Sequence, residues 1–133
     1  MKKACYCSLL RTATRKIESV YDRALAPLGV NIAQYSLLRG IKRLQPASLT
    51  DLGRDAELDR STIGRNVRVL ERIGLVVTGR GDVDRREAVV RLSDRGNELL
   101  GDAAALWEEC QQKFEDRIGP AQIKTLQDIL KTL

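Results

Sequence analysis

The chain has 133 residues, 43% of them hydrophobic and 31% charged, with a net charge of +5, three cysteines and no histidine; that is one domain with a core of its own. Without histidine there is no Ser–His or Cys–His pair and zinc lacks its commonest nitrogen ligand, so neither an enzyme nor a cofactor is expected. No apolar run approaches 18 residues and the start, MKKACYCSLLRTATRK, lacks a signal peptide's apolar stretch, so a soluble cytoplasmic protein without a membrane partner is expected.

The periodicity predicts one long helix from about Ala4 to Ala26. Leu10, Ala13, Ile17, Val20, Ala24 and Leu28 recur at steps of three and four, and Pro27 and Gly29 end the run. Asn31-x-x-Gln34 has the form of a capping box. The helix it opens runs to about Leu44, with Tyr35, Leu38, Ile41 and Leu44 inward. A short helix follows from Ser48 to Ala56, with Ser48 as N-cap, Asp51 in the first turn, and Leu49, Leu52 and Ala56 apolar. Only Glu57-Leu58-Asp59 separates it from another helix that runs to about Gly74, with Asp59 as its cap. That is helix-turn-helix spacing.

On this further helix Ile63, Val67 and Leu70 form one stripe, and Ser61, Arg65, Arg68 and Arg72 form the opposite one, with only Glu71 on its flank. Arginine grips phosphate, or the O6/N7 edge of guanine, with two bonds at once. The plainer account of such a stripe is a solvated basic face. Arg60, Thr62 and Asn66 on the same helix, and Ser48 before it, complete the candidate DNA contacts. Ser61 and Thr62 serve there either as contacts to phosphate or bases, or only as a cap.

Leu75 to Arg80 and Glu87 to Ser93 read as two strands around a polar turn, Gly81 to Arg86, with Arg85 and Arg86 near its tip. Two helices followed by a basic-tipped hairpin make a winged helix-turn-helix. In such a fold the helix enters the major groove and a wing arginine the minor groove. Asp84 and Arg86, two residues apart, point the same way on an extended segment and pair across the turn as wing support.

A second long helix runs from Ser93 to about Ile118. Leu99, Ala103, Leu106, Cys110, Phe114 and Ile118 form its stripe, with Leu100 and Trp107 alongside. Gly119 breaks it, and Pro120 suits the first position of a final helix carrying Ile123, Leu126, Leu130 and Leu133 on one side. Ile17, Val20, Leu106, Trp107, Ile123, Leu126 and Leu130 are more apolar surface than one winged-helix core covers. A twofold homodimer covers it; the alternative is a monomer with every helix tucked in. Charge is divided along the chain, with the first ninety-two positions summing to +8 and the remainder to −3. A basic body with an acidic C-terminal region suits a polyanion-binding surface set apart from another function.

LDRSTIGRNVRVLERIGLV followed by DVDRREAVVRLSDRG resembles the multiple-antibiotic-resistance regulator (MarR) family of bacterial transcription factors. The family pattern has a Ser/Thr-rich start to the recognition helix, a Leu-Glu-x-x-Gly-Leu-Val end and a wing Asp-x-Arg, matched here by Asp84 and Arg86. A Leu-Thr/Ser-x-x-Gly start to the next helix is matched by Leu92 to Gly96. Gly64 departs from it, since a larger residue is usual there.

The resemblance covers nearly the whole chain and implies a mainly α fold with a small β wing. It implies a single domain, 1–133, with a DNA-binding lobe over about 31–92 and dimerisation helices over 1–28 and 93–133. It further implies an intertwined dimer reading a pseudo-palindromic operator in double-stranded DNA, with Arg86 the wing residue that enters the groove and Arg85 at phosphate. It implies a repressor released by a small aromatic acid or phenol bound between the dimer helices and the lobe, or by oxidation.

For oxidation the position of Cys7 is similar to that of the reactive cysteine in the hydroperoxide-sensing branch, and Tyr21 to one of its two partner tyrosines. The second partner position holds Ile32. Lys2, Lys3 and Arg11 would favour a thiolate. The competing reading makes Cys7 and Cys110 small buried hydrophobes and Cys5 an incidental exposed thiol. A different class of function, a protein–protein docking module on a winged-helix scaffold, has no need of Asp84, Arg85 and Arg86 at a hairpin tip.

Overall fold

In the computed structural model, which describes residues 3–133, the elements follow as α1 (Tyr6–Leu25), α2 (Ile32–Leu44), β1 (Ala47–Ser48), α3 (Leu49–Ala56), α4 (Arg60–Arg72), β2 (Val76–Arg80), β3 (Ala88–Leu92), α5 (Asp94–Ile118) and α6 (Pro120–Thr132). A short 3₁₀ turn, Ala26–Leu28, closes α1. Lys2 lies outside the described residues.

The expected end signals are in place. Asn31 and Gln34 make the reciprocal capping box of α2. Ser48 and Asp59 accept from backbone amides at the starts of α3 and α4, and Ser93, whose capping role was not read from the sequence, does the same at the start of α5. Each such bond satisfies one of the amides that a helix start leaves without a partner.

The sheet has the order β1-β3-β2 and is antiparallel throughout, with Val76 opposite Leu92, Thr78 opposite Val90, and Ala47 opposite Val90 on the other side. β1 was not expected. Two residues carry too little alternation to announce a strand, and only the approach of β3 makes one.

The core gathers Leu25, Val30, Tyr35, Leu38, Ile41, Leu52, Ile63, Val67, Leu70, Leu75, Val76 and Val90. On α1 the buried residues are Tyr21 and Leu25, whereas Leu10 and Ala13 are exposed. Of the expected stripe, Ile17, Val20, Ala24 and Leu28 are only half-buried. The fully buried positions Tyr21 and Leu25 lie one residue further along than Val20 and Ala24, because the rest of the chain meets α1 along that neighbouring line and only at its last turns. On α5, Ala103 and Cys110 are buried as expected, and Leu106 and Trp107 pack partly on the chain's own core. Among the described residues of the terminal helices, the large apolar side chains left exposed include Tyr6, Leu9 and Leu10 of α1 and Leu126, Ile129 and Leu130 of α6, whereas Ile17, Val20, Leu106, Trp107 and Ile123 are half-buried within the chain. No residue of α6 is buried.

The corner after α4 is held by the start of α5. Ser93 donates its hydroxyl to the Gly74 carbonyl (2.6 Å) and its amide to the Leu75 carbonyl (3.0 Å). Arg95 reaches the Ile73 carbonyl at 3.3 Å. Gly96 is required there, since an added Cβ would fall inside the Leu75 carbonyl oxygen. The helix that leaves the lobe is thus bonded to the end of α4.

Candidate nucleic-acid interface

α3 and α4 meet through a tight turn. Glu57 closes α3 with φ 54°, in the left-handed region, and the Leu58 amide donates back to the Gly53 carbonyl at 2.9 Å. Gly53 lets the turn close, because a Cβ there would lie 2.8 Å from the Leu58 carbonyl oxygen. Ile63, Val67 and Leu70 hold α4 to the core.

The opposite face is open. Ser61, Arg65, Arg68 and Arg72 are all exposed, as is Arg60 in the first turn. Among the described residues none of these four arginines forms an ion pair. Glu71, the acidic flank of the row, accepts from the Thr78 hydroxyl on β2 and so ties the end of α4 to the wing.

The first turn of α4 is a hydrogen-bonded cluster. Asp59 Oδ1 accepts from the Ser61 hydroxyl (2.6 Å) and the Thr62 amide (2.8 Å), and Oδ2 accepts from the Thr62 hydroxyl (2.9 Å). Arg65 Nη2 in turn donates to Thr62 Oγ1 at 3.2 Å. The Ser61 hydroxyl, then the Thr62 amide and hydroxyl, hold the Asp59 carboxyl far below the usual carboxylate range. Ser61 and Thr62 are parts of the cap, with their hydroxyl protons directed at Asp59.

Two expected contacts lie elsewhere. Ser48 is only 5% exposed, pairs with Val89 in the sheet, and turns its hydroxyl oxygen to the Asp51 amide at 3.0 Å. Asn66 is exposed but lines the shallow groove against Asn31, Gln34 and Leu37 of α2. At about 100° per residue it is about 120° round the helix from the arginine row.

The wing tip is a turn, not an extended segment, and the expected pair forms within it. The Arg86 amide donates to Asp84 Oδ1 at 2.9 Å, and Arg86 Nε lies 3.6 Å from the same oxygen. Arg80 donates to the Arg85 carbonyl at 3.3 Å, and Arg91 lies 3.7 Å from Asp82. The tip is thereby braced from both strands while the Arg86 side chain stays 95% exposed. Arg85 is exposed beside it.

Of the cysteines, Cys5 and Cys7 are exposed in the single chain and Cys110 is buried. Hydrogen bonding to the Ser8 side chain draws the Cys5 thiol down, and burial pushes the Cys110 thiol up. Tyr21 is engaged inside its own chain. Its hydroxyl donates to Gln111 and its ring packs on Phe114 with centroids 5.3 Å apart.

Residues 30–88, which span α2 to the start of β3, match the family model described as MarR family. The transcriptional regulator MosR of M. tuberculosis, solved in complex with DNA, is 29% identical, with 97% of this chain and 96% of that chain covered at a TM-score of 0.84. S. aureus MepR, also solved with DNA, has the same fold at 17% identity, with a TM-score of 0.84 over 98% of this chain and 96% of that one. The HTH-type transcriptional regulator BilQ of Clostridioides difficile (strain CD3) is 24% identical over 105 residues, or 79% of this chain and 71% of the relative. The capped helix-turn-helix, the braced wing and the flanking long helices are thus similar to those of solved transcriptional regulators, and the lobe over residues 30–88 matches the MarR family model.

Proposed function

We propose that this chain is a homodimeric repressor that reads a pseudo-palindromic operator in double-stranded DNA. α4 enters the major groove and the wing tip the adjacent minor groove. The observation that carries this reading is the row Arg65, Arg68 and Arg72. It stands opposite the core stripe without a carboxylate partner among the described residues, beside an exposed wing arginine. Unpaired guanidinium groups on one face suit bidentate contact with guanine or phosphate. As a reader of DNA the protein works in the cytoplasm. Selection of duplexes from a randomised library tests the reading. A pseudo-palindrome should be recovered, and Arg65→Ala or Arg68→Ala should each weaken it by about 1–3 kcal/mol. Recovery of no preferred sequence rejects it.

Release is proposed to follow binding of a small aromatic anion in the groove between α2 and α5. Arg39 lies 4.2 Å above the Trp107 ring centroid and 5.9 Å from that of Tyr35. Lys42, 2.6 Å from Asn97 Oδ1, lines the same groove of about 440 Å³. Neither cation forms an ion pair among the described residues, unlike Arg43, which binds Asp55 at 2.6 Å. A ligand held by both the lobe and α5 shifts any equilibrium in which the two move apart. Benzoate and phenol derivatives should raise the melting temperature of wild type but not of Arg39→Ala. A flat response across such a panel leaves oxidation as the release route. In that case peroxide should free DNA from wild type and not from Cys7→Ser.

A further inference from the structure

The first turn of α4 assigns roles that the residue types alone do not. A threonine hydroxyl has one proton and two lone pairs, so what it gives to one neighbour decides what it can do for another. The Thr62 proton goes to Asp59 Oδ2 at 2.9 Å, which leaves the oxygen only its lone pairs, and Arg65 Nη2 donates to one of them at 3.2 Å. The carboxylate is in turn fixed by the Ser61 hydroxyl and the Thr62 amide. The chain of donors therefore runs from Arg65 through Thr62 to Asp59. Arginine has four rotatable side-chain bonds, and a tether on one guanidinium nitrogen removes part of that freedom before DNA arrives.

We infer that Thr62, polarised by Asp59, is a positioning residue that aims the Arg65 guanidinium into the groove, and that it sets specificity through Arg65 without contacting DNA itself. This rests on the proposal that α4 reads DNA. With its proton on Asp59, the Thr62 oxygen is an acceptor, which phosphate repels; the partner it already holds is the arginine. Ser61 is held the same way and belongs to the bracket rather than to the contact surface.

Asp59→Asn separates capping from polarity. Asparagine caps a helix about as well as aspartate. Its amide nitrogen replaces one carboxylate oxygen, however, and a nitrogen there donates to Thr62 Oγ1 in competition with Arg65. Thr62→Val removes the hydroxyl with little change of shape, and Thr62→Ser restores it.

The experiment is a double-mutant cycle on the duplex that wild type selects from a randomised library, with affinity measured for that duplex and for a scrambled one. Arg65→Ala should lose about tenfold or more on the selected duplex. Thr62→Val should lose severalfold when Arg65 is present and less than twofold when Arg65 is alanine. Asp59→Asn should follow Thr62→Val on the selected duplex, Thr62→Ser should bind like wild type, and affinity for the scrambled duplex should be unchanged in Thr62→Val and Thr62→Ser, which keep the charge of wild type. Equal losses from Thr62→Val on both backgrounds would show direct contact with DNA and overturn the inference. So would wild-type affinity of Thr62→Val on the selected duplex. If wild type selects no duplex at all, it is the DNA-reading proposal that fails.

Discussion

Arg86 shows how little a surface ion pair has to stabilise in order to be useful. Its contact with Asp84 is exposed on both sides, so it contributes about 0–1 kcal/mol to folding. Its amide bond to the same carboxylate fixes the turn, and the guanidinium remains free to enter a minor groove, where narrow A·T tracts concentrate negative potential. Arg86→Ala should therefore leave the melting temperature within about two degrees, cut DNA affinity by about tenfold and lower the salt slope by about one. Unchanged salt dependence would show that the wing stays off the DNA. Asp59 makes a prediction about acid. Its folded-state value is depressed, so its contribution to stability is complete above the unfolded-state value of about 3.9 and is lost as pH falls through the lower folded one. Urea denaturation between pH 7 and 2 should show wild type losing stability below about pH 4 more steeply than Asp59→Asn.

At the scale of elements, two glycines in helices make opposite predictions. Gly64 is inside α4, where an added Cβ meets nothing nearer than Leu49 Cδ1 at 3.9 Å. Gly64→Ala should raise stability by about 1 kcal/mol, measured by chemical denaturation, because a helix interior favours alanine by that amount. Gly96 is the reverse case. A methyl group there meets the Leu75 carbonyl oxygen, a backbone atom that other bonds hold in place. Gly96→Ala should cost about 1–3 kcal/mol or more, with Gly101→Ala, which has open space, as the control on the same helix. Bonds from Ser93 and Arg95 to residues 73–75 tie the start of α5 to the residues that follow α4.

At the scale of the molecule, the uncovered apolar residues of α1 and α6 are what a second copy would bury. Two recognition helices related by a twofold axis read half-sites about 34 Å, or about ten base pairs, apart. Leu126 and Leu130 are 45% and 65% exposed, so replacing both with glutamate should leave the lobe folded while splitting the dimer. Light scattering should then give the mass of one chain in place of two, and the double variant should bind a half-site and a full operator with equal affinity. A wild-type protein that runs as a monomer at micromolar concentration would remove the dimer from this account.

Much of this was legible in the chain because it depends on residues within four positions of one another. The capping box at Asn31 and Gln34, the caps Ser48 and Asp59, the turn between α3 and α4, and the two faces of α4 are all local, and each appears where its pattern stands. Contacts between distant segments were not legible. Periodicity marks which face of α1 is apolar but not how much of that face the lobe reaches, so Tyr21 and Leu25 are buried while Leu10 is left outside. Ser48 looked like a surface hydroxyl until β3, some forty residues later, made a strand partner of it. The direction of a hydroxyl proton is hidden for a related reason, since residue type states what Thr62 can donate and only the placed atoms of Asp59 and Arg65 decide to whom. Local sequence determined the helices, their ends and their faces; tertiary packing decided which of those faces remain available, because burial is set by whatever the rest of the chain brings alongside.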